Sequence, residues 1–181
     1  SSLLRLEGNT VTETQWGIRF ENVQQSLLLK NQINKNQNAQ LTLWSGSSNN
    51  NITENTLSDF AFANYPIFVR DSASSNNLIY RNNFIMPTGF NVYSIDGGTN
   101  TQWTVNGEGN YWSDWSAQLS GPRVCINNNW DTRCENSYAI RFSSYDTAPF
   151  SIVNGWERPY PQITVSTTTP VQGQPMTIQL V

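Results

Sequence analysis

The chain contains no histidine and only two cysteines, Cys125 and Cys134. A zinc site needs about four Cys, His or carboxylate ligands, so these two residues do not make one. Charged residues are also scarce, at 13%, and hydrophobic residues reach only 37% of the 181 positions. Those proportions fit neither a charged disordered chain nor a membrane protein. The net charge is −3, with no basic cluster. An electrostatic footprint for nucleic acid is therefore missing. No apolar run approaches the roughly 18 residues that span a bilayer. No signal peptide begins the chain. It opens in mid-pattern, with Leu4 and Leu6 already alternating, so residue 1 reads as a processed or cut end.

What the chain has in excess is asparagine, 24 residues of it, which with Ser, Thr and Gln makes a neutral polar surface. Four of these sit in one repeated phrase: an apolar residue, two residues, Asn, one residue, an apolar residue. It occurs at Leu6 to Val11, Leu28 to Ile33, Ile52 to Leu57 and Ile79 to Phe84. The asparagines Asn9, Asn31, Asn55 and Asn82 are 22, 24 and 27 residues apart. A phrase recurring every 20 to 50 residues is the signature of a solenoid. Leu6, Leu28, Ile52 and Ile79 are expected to stack in one inward column, and Val11, Ile33, Leu57 and Phe84 in another. The asparagines between them read as a ladder at a bend, tolerating left-handed backbone angles and bonding amide to amide between coils.

A second half-coil follows the same logic. Ile18-Arg19-Phe20, Leu41-Thr42-Leu43, Ile67-Phe68-Val69 and Val92-Tyr93-Ser94 alternate as half-buried strands do. Each leads to a polar bend position: Asn22, Ser45, Asp71 and Asp96. Short strands without helical periodicity predict an all-β fold, a right-handed parallel β-helix. Lys30, Glu54 and Arg81 precede the ladder asparagines and are expected to stack as a charge ladder of alternating sign. Large groups at Trp44, Phe68 and Tyr93 point outward, with Trp16 at an adjoining corner and Arg19 and Arg70 nearby. These four aromatics form a candidate ligand or partner face, suited to stacking on sugars, unless corner loops fold over them.

Cys125 and Cys134, nine apart in a polar loop, read as a local disulfide, with two free thiols as the alternative. A disulfide implies an oxidising, extracytoplasmic setting. Asn51-Ile52-Thr53 is the sole glycosylation sequon, and Asn51, next to an inward Ile52, is expected to face outward.

Gly109-Asn110-Tyr111-Trp112-Ser113-Asp114-Trp115, following Asn-rich coils, resembles the NosD-like parallel β-helix repeats, also called carbohydrate-binding and sugar-hydrolase repeats, of bacterial and archaeal surface proteins. The resemblance runs from about Leu4 to about Ser151. It implies that this motif ends the helix, with a close matched by Tyr138-Ala139-Ile140 and Tyr145-Asp146-Thr147-Ala148-Pro149-Phe150. The family's Gly- and Asp-rich loop is not matched. Arg123 to Cys134 stands there instead, so a calcium site is not expected and a disulfide takes over the loop's role. Physically, the aromatic segment reads as a cap over the last coil, built from Tyr111, Trp112, Trp115, Trp130, Tyr138, Tyr145, Phe150 and Trp156. The family label also implies copper or sugar chemistry. With no histidine, Met86 and Met176 far apart and the cysteines oxidised, copper has no ligand set. Paired carboxylates for sugar hydrolysis lie about 5–10 Å apart, and Asp71 with Asp96, placed in one bend column, is the only pair the sequence offers.

The expected organisation is coils over 1–106, a cap over 107–158, and over 159–181 a linker with the start of an immunoglobulin-like sandwich or a docking strand. Ile163 to Ser166 and Met176 to Val181 would form its hairpin. No catalytic residue, cofactor or metal is expected. The functional expectation is a structural or adhesive module of an extracellular or cell-surface protein, such as a surface-layer or filament component. Its expected partners are other copies of itself, flanking domains of a longer chain, or surface glycans. A carbohydrate-binding or carbohydrate-active β-helix domain is the alternative.

Overall fold

The computed structural model describes residues 3–59, 65–86, 94–115, 124–128, 131–142 and 144–157, with the backbone of 163–164 and 179–180. Each coil contributes three short strands. The first holds β1 (Arg5–Glu7), β2 (Thr10–Thr12) and β3 (Ile18–Glu21). The second holds β4 (Leu27–Leu29), β5 (Gln32–Asn34) and β6 (Ala39–Trp44). The third holds β7 (Asn51–Thr53), β8 (Thr56–Ser58) and β9 (Tyr65–Val69). The fourth holds β10 (Leu78–Tyr80), β11 (Asn83–Ile85) and β12 (Ile95–Asp96). A further strand, β13 (Tyr111–Trp112), extends one face, so the sheets run β1-β4-β7-β10, β2-β5-β8-β11-β13 and β3-β6-β9-β12. All pairings within them are parallel. The protein is a parallel β-solenoid of about four turns, as the repeat predicts.

Registers are set by the inward columns. Leu6, Leu28, Ile52 and Ile79 are paired in one sheet, and Val11, Ile33, Leu57, Phe84 and Trp112 in the next. In the third, Ile18, Leu41 and Ile67 form one column, and Phe20, Leu43 and Val69 the other. From the second coil onward these side chains are fully buried. A one-residue slip would turn each column outward, so burial locks the register.

The asparagine ladder is continuous. Asn9 donates its Nδ2 to Asn31 Oδ1 at 3.0 Å, Asn31 to Asn55 at 2.9 Å, Asn55 to Asn82 and Asn82 to Asn110 at 3.0 Å. Each rung's oxygen also accepts the backbone N–H of the asparagine one coil earlier. The left-handed angle, however, is not on the asparagine. It falls on the residue before: Gly8 at φ 66°, Lys30 at 54°, Glu54 at 57° and Arg81 at 54°. The reason is local. The Asn Nδ2 reaches back to the carbonyl two residues earlier, in Leu29, Thr53 and Tyr80, and closes the corner around the residue between. A second ladder occupies the opposite corner. Ser26 N–H donates to Asn50 Oδ1, and Asn50 N–H and Nδ2 donate to Asn77 Oδ1, again after left-handed Gln25, Asn49 and Asn76.

Two expectations need correction. In the fourth coil Ser94 does not take the expected place beside Val69; residues 87–93 lie outside the described residues. Ile95 pairs with Phe68 and Asp96 with Val69. Asp96 therefore points into the solenoid's end instead of occupying a bend with Asp71. It is 3% exposed, and four donors compensate its burial: Trp103 Nε1, Ser144 Oγ, Thr101 Oγ1 and Gly98 N. Asp71 instead sits beside Ser45, taking its N–H at 2.7 Å.

The far end is closed by aromatics. Trp112 stacks on Tyr138 at 4.1 Å, Trp115 meets Tyr138 edge-on at 5.3 Å, and Phe84 lies 4.3 Å from Trp112. Tyr138 belongs to an antiparallel hairpin of β14 (Tyr138–Ile140) and β15 (Ser144–Asp146). Trp103, in register with the Ile79 column through the Leu78–Gln102 bridge, joins this cluster. Tyr145 is the exception among the expected cap residues. It is 56% exposed, because its neighbour Asp146 takes the inward side of the strand. Trp130 lies outside the described residues. Beyond the cap, β16 (Ile163–Thr164) and β17 (Gln179–Leu180) pair antiparallel, as the terminal alternation predicts.

Candidate functional site

The third sheet carries the outward aromatics. Trp44 is half-buried, and the guanidinium carbons of Arg19 and Arg70 lie 4.3 and 4.4 Å from its ring centroid. They come from the coils before and after it, and Arg19 also pairs with Glu21 at 3.0 Å. Cation–π contacts of this kind stabilise by about 0.5–2 kcal/mol each. Trp44 is thereby engaged by its own chain. Phe68 packs on Tyr65 at 5.4 Å, and Trp16 is half-buried at its corner. Tyr93 lies outside the described residues. The structure thus joins Trp44 to Arg19 and Arg70, and Phe68 to Tyr65.

The charge column is real and longer than the sequence indicates. Lys30 Nζ lies 3.6 Å from Glu54, Arg81 lies 3.6 Å from Glu54 and 2.5 Å from Glu108, and Arg133 lies 3.8 Å from Glu108. It ties the coils to the loop that holds the disulfide. Cys125 and Cys134 are bonded, with Cα atoms 5.2 Å apart and both side chains buried.

The densest polar centre is Asp146, which sequence reasoning did not single out. It is completely buried. Its Oδ2 accepts Asn110 N–H at 2.7 Å, Trp112 Nε1 at 2.9 Å and Asn110 Nδ2 at 3.2 Å; its Oδ1 accepts Thr104 Oγ1 at 2.9 Å and Ala148 N–H at 3.3 Å. Gly109 must be glycine here, since a Cβ would overlap Asp146 Oδ1. Burial pushes the carboxyl up to about 6, against the pull of the Trp112, Asn110 and Thr104 donors. Asp71 runs the other way. It is held below the ordinary carboxylate range: its slight burial is outweighed by hydrogen bonds from Ser45, Ser74 and Gly46. With Asp96 inside and Asp71 outside, they do not form a pair of hydrolytic carboxylates. Among the described residues no group of three or more His, Cys, Asp or Glu could hold a metal ion.

A parallel β-solenoid with amide ladders at its corners and an aromatic closure defines a class of repeat protein. Residues 1–117 match the family model described as periplasmic copper-binding protein (NosD), and the chain belongs to that family. No curated protein and no solved structure matches it. The family's printed description names copper, but this chain's donor set does not fit it. There is no histidine, both thiols are consumed in the disulfide, and the two methionines alone make no copper site. The disulfide suits an oxidising, extracytoplasmic compartment.

Proposed function

We propose that the chain is a structural, non-enzymatic module of an extracellular or cell-surface protein, and that it docks another β-coil through the face of its first coil. The observation that carries this is an asymmetry between coils. Leu6, Val11 and Ile18 are half-exposed, and Leu4 is 36% exposed, whereas Leu28, Ile33 and Leu41, their equivalents one coil on, are fully buried. Among the described residues, strands β1, β2 and β3 each pair on one side only. Such edges are templates for strand addition. The ladder adds chemical detail. Asn9 spends its donors on Glu7 O and Asn31 Oδ1, and among the described residues its Oδ1 accepts nothing. A docked coil would supply an N–H pair to that oxygen and apolar side chains in register with Leu6, Val11 and Ile18. The occupant is another copy, or a flanking coil of a longer chain.

Amide hydrogen exchange on the protein in its native assembly tests this. The amides of Arg5, Glu7, Thr10, Thr12, Arg19 and Glu21, which face the free edge while their inward neighbours already bond the second coil, are expected to be protected there and to exchange rapidly in the isolated chain. Fast exchange of these amides in the assembled material would overturn the reading.

A further inference from the structure

The outward face of the first sheet is apolar in its middle coils. With Ile52 buried, Asn51 and Thr53 point to the opposite side, in register with Leu27 and Leu78 on one line and with Leu29 and Tyr80 on the other. Leu27, Leu29, Leu78 and Tyr80 are half-buried only, and none of these six positions is charged. Two polar atoms within this patch do nothing for the fold. Asn51 Oδ1 and Thr53 Oγ1 are both enclosed, and among the described residues neither has a hydrogen-bond partner. Buried polar groups are normally satisfied, so each orphan asks for a reason. Val would fill Thr53's place without stranding a hydroxyl.

These two residues are positions one and three of the chain's sequon, Asn51-Ile52-Thr53. We propose that Asn51 carries an N-linked glycan, and that the sugar covers the Leu27, Leu78 and Tyr80 surface of this sheet. Thr53's hydroxyl is then kept for the transferase that reads the sequon, not for the folded coil. The step joins Asn51 Nδ2 to the anomeric carbon of a glycan carried on a polyprenyl phosphate or diphosphate. The carbon–oxygen bond to phosphate breaks, its electron pair leaves with the lipid phosphate, and the displaced amide proton passes to a base of the transferase. Because Thr53 is 6% exposed once its coil closes, transfer precedes folding of that coil. Enclosure of Oδ1 leaves Nδ2 as the amide's outward atom, which is where the sugar attaches. Half-buried Leu27, Leu29 and Leu78 side chains, with Tyr80 beside them under the Arg81 guanidinium, offer the apolar ground on which a sugar's C–H face rests.

The inference rests on the extracytoplasmic reading, and one sample separates the two. The protein is isolated from the cells that make it, and the peptide holding Asn51 and that holding Cys125 and Cys134 are mapped by mass spectrometry. Sugar on Asn51 is expected, and it is expected to vanish in Thr53→Val, which keeps the wild-type circular dichroism. Asn51→Gln serves as the second variant if Thr53→Val fails to accumulate. An unmodified Asn51 overturns the proposal, as does sugar that persists in Thr53→Val. If Asn51 is bare while Cys125 and Cys134 are bonded, the extracytoplasmic reading stands alone; if both cysteines are also free thiols, both readings fall.

Discussion

Replacing Asp146 with asparagine should make stability depend differently on pH, and the sign can be worked out. Asp146 binds its proton with a value of about 6 in the folded chain, against an ordinary 3.8 in the unfolded one. Between those values the folded state holds more protons, so unfolding free energy falls as pH rises from about 4 to about 6 and is level above. A shift of about two pH units corresponds to about 3 kcal/mol at 1.36 kcal/mol per unit. The substituted amide would keep a carbonyl for the Asn110 and Trp112 donors. Its NH2 would replace the oxygen that accepts from Thr104 and from Ala148 N–H. Thr104 can turn its hydroxyl to accept, but Ala148 N–H loses its acceptor, at about 1–2 kcal/mol. Asp146→Asn is therefore expected to be less stable than wild type by about 1–2 kcal/mol near pH 4 and more stable by a similar amount near pH 8. Urea unfolding followed by tryptophan fluorescence across this range, with the disulfide intact, reads the difference. Other acids titrate equally in both chains and cancel. A difference that stays flat with pH, or that grows against the variant at high pH, would show that the five donors outweigh burial and keep Asp146 ionised.

Three further outcomes follow from the coils and cap. Asn55→Ala removes donations to Leu28 O, Thr53 O and Asn82 Oδ1 and strands the Asn31 backbone N–H, so a loss of about 3–5 kcal/mol is expected from equilibrium unfolding. Trp44→Ala releases both Arg19 and Arg70 and should cost about 1–3 kcal/mol, with raised mobility of both guanidiniums in arginine side-chain NMR; no loss of stability would refute the stacked arrangement. Reducing Cys125–Cys134 opens a loop whose ends are nine positions apart and should weaken the cap by about 2–3 kcal/mol. Hydrogen exchange would quicken at Tyr138–Ile140 while Leu28, Ile52 and Ile79 stay protected.

The coils were legible because each corner repeats a local rule at nearly fixed spacing. An inward apolar residue, a left-handed position and an amide rung need only six residues to be recognised, so Asn9 to Asn82 stood out. Asn110 did not, although it lies 28 residues after Asn82 and is the next rung. Its column partner Trp103 stands seven residues before it, not three, because a tight turn is inserted, with Val105 bridged to Glu108 around left-handed Asn106 and Gly107. Asn106-Gly107 was the available sign of that insertion. The second ladder was equally available: Ser26, Asn50 and Asn77 are 24 and 27 apart, the same intervals as in the first, but they hid among loop asparagines. The fourth coil slipped because alternation shows which residues face inward together, not which coil position they take. Outward aromatics raised the opposite problem, since alternation placed Trp44 outside and could not tell that Arg19 and Arg70 would cover it.

Asp146 shows why the closing chemistry was the least legible part and the most informative. An asparagine rung both donates and accepts, so nothing within the ladder tells it to stop. In this chain donors run from each coil to the next, from Asn9 through Asn110. Only a group with no donor of its own can receive the last amide without asking for another, and an ionised carboxylate is such a group. Asp146 receives Asn110, lies 36 residues away in sequence, and sits on a hairpin whose other strand covers Trp112. No local pattern could have joined them. The same polarity sets the opposite end. There the unmatched group is an acceptor, Asn9 Oδ1, so whatever docks on the first coil must bring donors, which a second capped end, finished in a carboxylate, does not offer. A copy joining by that face must therefore present the N–H groups of a strand edge, since its own first coil ends in the same acceptor and its far end in a carboxylate.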